Sequence, residues 1–552
     1  MCSILGILGL PEGSHDAYRA RALQLSRLQR HRGPDGSGVW SSGRAVLAHE
    51  RLAVVDVQHG AQPLVDPSGR VALAVNGEVY NHRALRAGLS RPYAFATESD
   101  CEVLLALWQE KGPEFLDGLQ GMFAFALYDA GEDRWLLGRD PVGIVPLYTG
   151  LDEAGVLHVA SELKALTPVC RAVREFPPGH LWDSREEAPR RYHHRAWRSY
   201  AAVAEGPTDA GAVRAALEES VRSHLMADAP PGVLLSGGLD SSIIAACAAR
   251  SAGRRAEGGA GLHTFSIGLE GSPDLAAAEE VAAHVGSVHH GFRFTVQEGL
   301  DALSDVVHHL ETYDVTTVRA ATPMYLMARR IRALGVKVVL SGEGADELFG
   351  GYLYFHRAPD ARALHAETLR KLDRLHLYDC LRANKAMAAW GVEARVPFLD
   401  TAFLDVAMGL SPAAKLSGAR AGGGRMEKHL LREAFADALP PRVAWRQKEQ
   451  FSDGVGYGWI DSLRAHAARA VADRQLAHAA DRFPHNPPAT KEAYLYRALF
   501  AAHFPAESCA ALVPGGPSVA CSTPEALAWD ASLGAVTDPS GRAVRGVHQA
   551  AY

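Results

Sequence analysis

The run Gly232-Val-Leu-Leu-Ser-Gly-Gly-Leu-Asp-Ser-Ser242 constrains the fold more than any other part of the chain. A compact apolar segment ends in two glycines, and a helical pattern over Ile243 to Arg250 follows at once. Strand, glycine turn and helix in direct succession predict a parallel sheet whose connections are helices. The same order recurs around His263-Thr-Phe-Ser-Ile-Gly268 and Val336-Lys-Val-Val-Leu-Ser341, so the chain from Val213 onward is expected to be of the doubly wound α/β kind. Long helices are expected over Glu367 to Met387 and Met426 to Ala438, and a mobile loop over Arg250 to Gly261.

The first 200 or so residues read differently. Short apolar runs at Ala45 to Leu47, Val71 to Val75, Met122 to Tyr128 and Trp135 to Leu137 are punctuated by Gly, Asp and Asn, which predicts a strand-rich half. Helical spacing is confined to Ala20 to Gln29 and to Cys101 to Glu110, the latter preceded by Thr97 and Ser99 as caps. A shift to Ala, Gly, Pro and Asp through Ala201 to Gly211 marks a connection. The expected division is 1–205, 206–515 and a Gly, Pro and Ser-rich tail, 516–552.

Charge and cysteine usage exclude several classes. With 57 Lys and Arg against 63 Asp and Glu the formal charge is −6, which gives no support to a nucleic-acid partner. Apolar stretches such as Val336 to Leu340 are far short of the roughly 18 residues of a membrane span. The opening Met-Cys-Ser-Ile-Leu-Gly-Ile-Leu-Gly-Leu has neither a basic start nor a cleavage pattern and is not expected to be a signal peptide. Seven cysteines, odd in number and scattered, form no disulfide or zinc framework, and the cytoplasm is the expected compartment. The pairs His193-His194, His289-His290 and His308-His309 lack further ligands at metal-binding spacing.

Chemistry begins at Cys2. Loss of Met1 would put a thiol and an α-amine on one residue, and the amine can serve as base for its own thiol. Further along come His31-Arg-Gly-Pro-Asp35, His49-Glu-Arg-Leu52, Asn76-Gly-Glu-Val-Tyr-Asn81 and Ser99-Asp100-Cys101-Glu102. Each alone reads as turn or cap chemistry. Together they complete a site: the Arg51 guanidinium suits an α-carboxylate, the Asp100 carboxylate suits an α-ammonium, and Asn76 with the N–H of Gly77 suits an oxyanion. On these motifs the first 200 or so residues resemble the glutamine amidotransferases of the N-terminal-nucleophile class. The resemblance implies a four-layer αββα domain in which Cys2, Arg51, Asn76, Gly77, Glu78 and Asp100 bind glutamine and hydrolyse it to glutamate and ammonia.

The second half carries two loops. Ser236-Gly-Gly-Leu-Asp-Ser-Ser242 presents free N–H groups, a helix start and hydroxyls (Ser236, Gly237, Gly238, Ser241, Ser242) to phosphate, but no Gly-Lys-[Ser/Thr] follows, so it is not a P-loop. Ser341-Gly-Glu-Gly-Ala-Asp-Glu-Leu-Phe-Gly-Gly351 ends another predicted strand, and strand ends of one open sheet face one crevice. Asp240 and Asp346 supply hard oxygen ligands for Mg²⁺. Thr316-Thr-Val-Arg319 and Arg446-Gln-Lys-Glu-Gln-Phe-Ser-Asp-Gly454 complete the set, and a buried Lys448 beside an α-phosphate would stabilise developing charge.

The first loop resembles that of the ATP pyrophosphatases, and the whole order of motifs, with Trp390-Gly-Val-Glu-Ala-Arg-Val-Pro-Phe-Leu-Asp400, resembles the glutamine-hydrolysing asparagine synthetases of the bacterial class B type. The segment Gly515 to Cys521 continues the likeness. The resemblance implies that aspartate is adenylated by ATP·Mg²⁺ and then amidated by ammonia carried through an apolar interior, in a homodimer. It implies Glu343 as the base for ammonia, Lys448 on phosphate, Arg319 and Thr316 on phosphate or aspartate, and adenine near Leu234, Ile267 and Gly342. Rivals on the same scaffold are a β-lactam synthetase, which lacks the N-terminal Cys, and a ligase that amidates another carboxylate. A non-catalytic binding protein would have no need of so complete a set.

Overall fold

The structure is a computed structural model and describes residues 1–253, 261–418, 424–456, 458–515 and 521–530. The centre of the expected loop and most of the expected tail, 516–520 and 531–552, lie outside these residues.

Two antiparallel sheets face each other in the first half. One runs in the order Ala172–Glu175, Tyr148–Leu151, Leu157–Ala160, Ser3–Leu8, Ala45–Arg51, Gly36–Ser41; the other runs Arg190–Arg191, His180–Asp183, Arg134–Arg139, Gly121–Asp129, Val71–Val79, Leu64–Val65. Alternation along Ser3–Leu8 shows why the layers form: Ile4 and Leu8 pack between the sheets with Ala72 and Ala124, while Leu5 and Ile7 pack under Tyr18, Ala22 and Leu25 of the helix His15–Arg27. Helix Val103–Lys111 covers the outer face of the second sheet through Leu104 and Leu107 against Phe123 and Phe125. The result is the αββα sandwich.

The second half is built on a parallel five-stranded sheet, Val288–Arg293, His263–Gly268, Pro231–Leu234, Val338–Leu340, Glu393–Arg395. Val233 and Leu340 share a cluster with helices Leu239–Gly253 and Pro273–Val285; Phe265, Ile267 and Val339 share another with helix Val315–Ala333. Helices on both faces leave only the strand ends open, and the two loops lie there.

Some expected elements differ. The span Glu367 to Met387 is two helices, Ala361–Arg374 and Asp379–Ala388, because Tyr378 leaves helical geometry at φ −129, ψ −94. Within Met426 to Ala438 the α-helix spans His429–Phe435, preceded by Lys428 in the left-handed region at φ 57 and followed by a 3-10 turn, Ala436–Ala438. The connection after Ser199 contains a short helix, Tyr200–Val203, and Pro207 is pinned by Ser411 N–H at 3.0 Å.

Candidate active site

Antiparallel pairing of Ser3–Leu8 with Ala45–Arg51 sets Cys2 beside Leu52, whose N–H points at Cys2 Sγ at 3.4 Å. Cys2 is half-buried, its carbonyl accepts from Arg32 Nε at 3.0 Å, and burial pushes its thiol up to about 11. Met1 is fully buried, its amine 4.0 Å from Glu393 and lowered by burial to about 6.

The facing strand Val71–Val79 presents alternate residues to Cys2's sheet. Asn76 is fully buried; its Nδ2 has a long bond to Ser161 Oγ at 3.4 Å, and its Oδ1 has no hydrogen-bond partner. Gly77 has φ +141, and a Cβ there would lie 2.0 Å from Met122 O, so no other residue fits. Glu78 is buried, and burial with the neighbouring Glu393 raises its pKa well above the carboxylate range, against the pull of Arg395. Asp100 is buried, accepts from Val79 N–H at 2.6 Å and is likewise raised by burial. Arg51 reaches the carbonyls of Asp56 at 2.5 Å and Val57 at 3.1 Å, and so holds the loop beyond its strand.

At the parallel sheet's edge one cavity of about 1280 Å³, measured out to its open mouth, takes in both loops. Leu234, Ser236, Gly238, Asp240, Ser241, Ile267, Thr316, Ser341, Gly342, Glu343, Asp346 and Lys448 all line it. Ser236 and Ser241 brace the first turn, Oγ to Oγ at 3.1 Å. Gly342 makes the second loop's approach possible, because a Cβ would stand 2.9 Å from Ser241 N. Lys448 bonds Asp346 through Nζ, and although burial opposes its charge, Asp346 and Asp240 outweigh that and raise its pKa. Burial pushes Asp346 up, but Lys428 and Lys448 prevail and bring it to about 2. Glu343 accepts from Arg382 at 2.8 Å; burial raises its pKa in spite of that partner.

Three sequence expectations change. Arg319 is absent from the cavity lining: it is buried and paired with Glu492, Nε to Oε1 at 2.8 Å and Nη2 to Oε2 at 2.6 Å, so its charge is spent on joining two helices. Ser242 turns inward and gives its hydroxyl to Gly238 O at 2.7 Å. Gly237, at φ +71, serves close packing, since a Cβ would meet Ala277 at 2.5 Å. Conversely, sequence reading overlooked Lys428, Arg382, Asp379 and Asp274, all in the lining. Asp274, raised by burial to about 6, holds Arg446 Nη2 at 3.0 Å.

A family model for the glutamine amidotransferase domain matches residues 1–192, and one for asparagine synthase matches 212–363 and 357–516. The chain is 61% identical to asparagine synthetase B (glutamine-hydrolyzing) of Escherichia coli (strain K12), over 100% of both chains. It is 53% identical to a glutamine-hydrolyzing asparagine synthetase of Triphysaria versicolor, covering 100% of this chain and 94% of that one. With asparagine synthetase (glutamine-hydrolyzing) 2 of Arabidopsis thaliana the identity is 52%, over 100% and 96%.

Proposed function

The chain belongs to the glutamine-hydrolysing asparagine synthetases and makes asparagine with nitrogen from glutamine, and we propose that it does so through β-aspartyl-AMP at two centres, one in 1–205 and one in 206–515. The convergence of both loops and Lys448 on a single cavity carries this reading.

At the first centre, loss of Met1 turns the nitrogen of Cys2 into the amine that deprotonates the thiol, which otherwise sits near 11. Sγ attacks the glutamine amide carbon while Asn76 Nδ2 and Gly77 N–H donate to the oxyanion; the buried Asn76 amide gives up a long bond to Ser161 Oγ, 3.4 Å, for that role. Ammonia leaves, and water releases glutamate from the thioester. Arg51 takes the α-carboxylate, and Glu78 with Asp100 takes the α-ammonium.

At the second centre a carboxylate oxygen of aspartate attacks the α-phosphorus of ATP, the bond to the β-phosphate oxygen breaks, and pyrophosphate departs. Ser236, Gly238 and Ser241 hold phosphate, and Lys448 offsets the charge that builds on it. Asp240 and Asp346 would hold Mg²⁺, which when bound neutralises phosphate charge. The residues fit: the two carboxylates converge on one point, where the Lys428 ammonium stands 2.6 Å from Asp240 Oδ2 and 2.6 Å from Asp346 Oδ1, so a metal ion would take the place of that ammonium. Among the described residues no third carboxylate, His or Cys joins them, so phosphate and water would supply the remaining ligands. Ammonia then attacks the acyl carbon, Glu343 takes its proton, and AMP leaves. Apolar residues of one cluster, among them Met122, Ile144, Val396 and Leu399, join the two halves and suit passage of neutral ammonia.

Among the described residues no helix is long and apolar enough to cross a membrane. A cytoplasmic homodimer is part of the proposal and rests on the sequence reading. The test is product analysis with aspartate, ATP·Mg²⁺ and amide-¹⁵N glutamine. Labelled asparagine with equal AMP and pyrophosphate is expected; ADP and phosphate in their place would overturn the adenylate route.

A further inference from the structure

One residue of the segment Trp390 to Asp400 touches both centres. Arg395 ends the strand Glu393–Arg395, and its carbonyl accepts from the N–H of Ser341 at 2.8 Å, the first residue of the loop that reaches the nucleotide cavity. Its guanidinium, fully buried, runs the other way into the glutaminase half. Nε bonds Glu393 at 2.7 Å, Nη1 bonds His224 O at 2.7 Å and also Met226 O, and the guanidinium carbon lies 5.7 Å from the centre of the Tyr80 ring. The remaining nitrogen, Nη2, stands 3.2 Å from Glu78 Oε2.

That last contact differs from the others. Neither Arg395 Nη2 nor Glu78 Oε2 has a hydrogen bond of good geometry, so a polar contact buried between the two halves is left incompletely joined. Unmet donors and acceptors in a buried polar contact are costly, and such a contact gains from small shifts that close it or from a competitor that takes one partner. Glu78 is the carboxylate assigned above to the α-ammonium of glutamine. Arg395 and the substrate therefore draw on the same oxygen, and the backbone of Arg395 is fastened to the loop that must fit around ATP.

We propose that Arg395 is a positioning residue that couples the centres: nucleotide and aspartate, by setting the Ser341 loop and the strand end bonded to it, change how far the guanidinium engages Glu78 and thereby change glutamine affinity. This rests on the reading of Glu78 as a glutamine ligand. Coupling between sites is reciprocal and amounts to about fivefold or more in affinity where it is functional.

The experiment measures the KM for glutamine in glutamate release, with and without ATP·Mg²⁺ plus aspartate, in the full chain. Wild type is expected to show a ratio of the two values at least about fivefold from one, and Arg395→Gln a ratio within about twofold of one, while ammonium-dependent asparagine synthesis confirms that the variant is folded. If Arg395→Gln does not fold, Glu393→Gln removes the carboxylate that aims the guanidinium and is expected to lower the ratio in the same way. A wild-type ratio near one, or a variant ratio equal to that of wild type, overturns the proposal. Absence of any glutamine hydrolysis by wild type would instead strike the assignment of the glutaminase centre itself.

Discussion

Lys428 holds its ammonium 2.6 Å from Asp240 Oδ2 and 2.6 Å from Asp346 Oδ1, between the two carboxylates that face the nucleotide cavity. The position is built in. Lys428 is buried, its backbone is in the left-handed region at φ 57, and Gly351 leaves room for it, since a Cβ there would lie 2.0 Å from its Cε.

A cation already in place opposes a second one. Lys428→Met removes it and leaves the two carboxylates with Lys448 as their remaining cation, so Mn²⁺ should bind the nucleotide-free protein at least about tenfold tighter than wild type, which is about 1.4 kcal/mol. Paramagnetic titration without ATP measures this directly. Equal Mn²⁺ affinity in the two proteins would mean that the carboxylates do not form a cation site.

Cys2→Ala takes away the thiol and nothing of the sheet edge where ATP binds. Glutamine-dependent asparagine formation should fall by about a thousandfold or more, while formation from added ammonium stays within about twofold of wild type. Parallel assays with the two nitrogen sources decide it. Matching losses in both would show that the centres do not work independently.

Glu343 is the residue whose pH behaviour follows from its surroundings. Burial raises its pKa despite Arg382, and a base acts only when deprotonated, so amide formation should fail as pH drops through a value above the ordinary carboxylate range. Arg382→Met removes the neighbour that pulls this pKa down most, and should shift the acid limb to higher pH. Glu343→Gln should keep aspartate-dependent pyrophosphate exchange and slow amide formation by about a hundredfold or more. Exchange lost along with amide formation would make Glu343 a substrate or metal ligand.

What could be read from the chain was local. The turn after Pro231–Leu234 announces itself through adjacent glycines and serines, and Asp240 and Asp346 lie inside such runs. Lys428 has no comparable signal: in Arg425-Met-Glu-Lys-His-Leu-Leu431 it resembles a solvated lysine of a helix, and only the tertiary fold carries it 188 residues back to Asp240. Arg319 shows the converse. A basic residue in a suggestive motif was matched to phosphate, yet Glu492, 173 residues away, neutralises it. The break between Arg374 and Asp379 has no Pro or Gly to reveal it. Long-range pairing of charge is the part of this site that local spacing does not encode.

Lys415 tests the cost of a charge that no carboxylate among the described residues balances. It is 6% exposed, its Nζ meets Met408 Sδ at 3.9 Å and the Phe349 ring at 5.6 Å, and burial lowers its pKa to about 7. Unfolded, the same amine titrates near 10.5. Between these values the unfolded chain holds a proton that the folded chain has shed, so this group's contribution to stability rises with pH across the window. Well below pH 7 both states are charged, and the folded state bears the full cost of burying the ammonium. Methionine has a similar length, no charge, and a thioether suited to the company of Met408 and Phe349. Lys415→Met should therefore raise the thermal midpoint by about 3 °C or more at pH 6, and the gain should shrink as pH approaches 10. Calorimetry of both proteins at pH 6, 8 and 10 checks the sign: a gain that grew with pH, or no gain at pH 6, would show that the ammonium has a partner worth its burial.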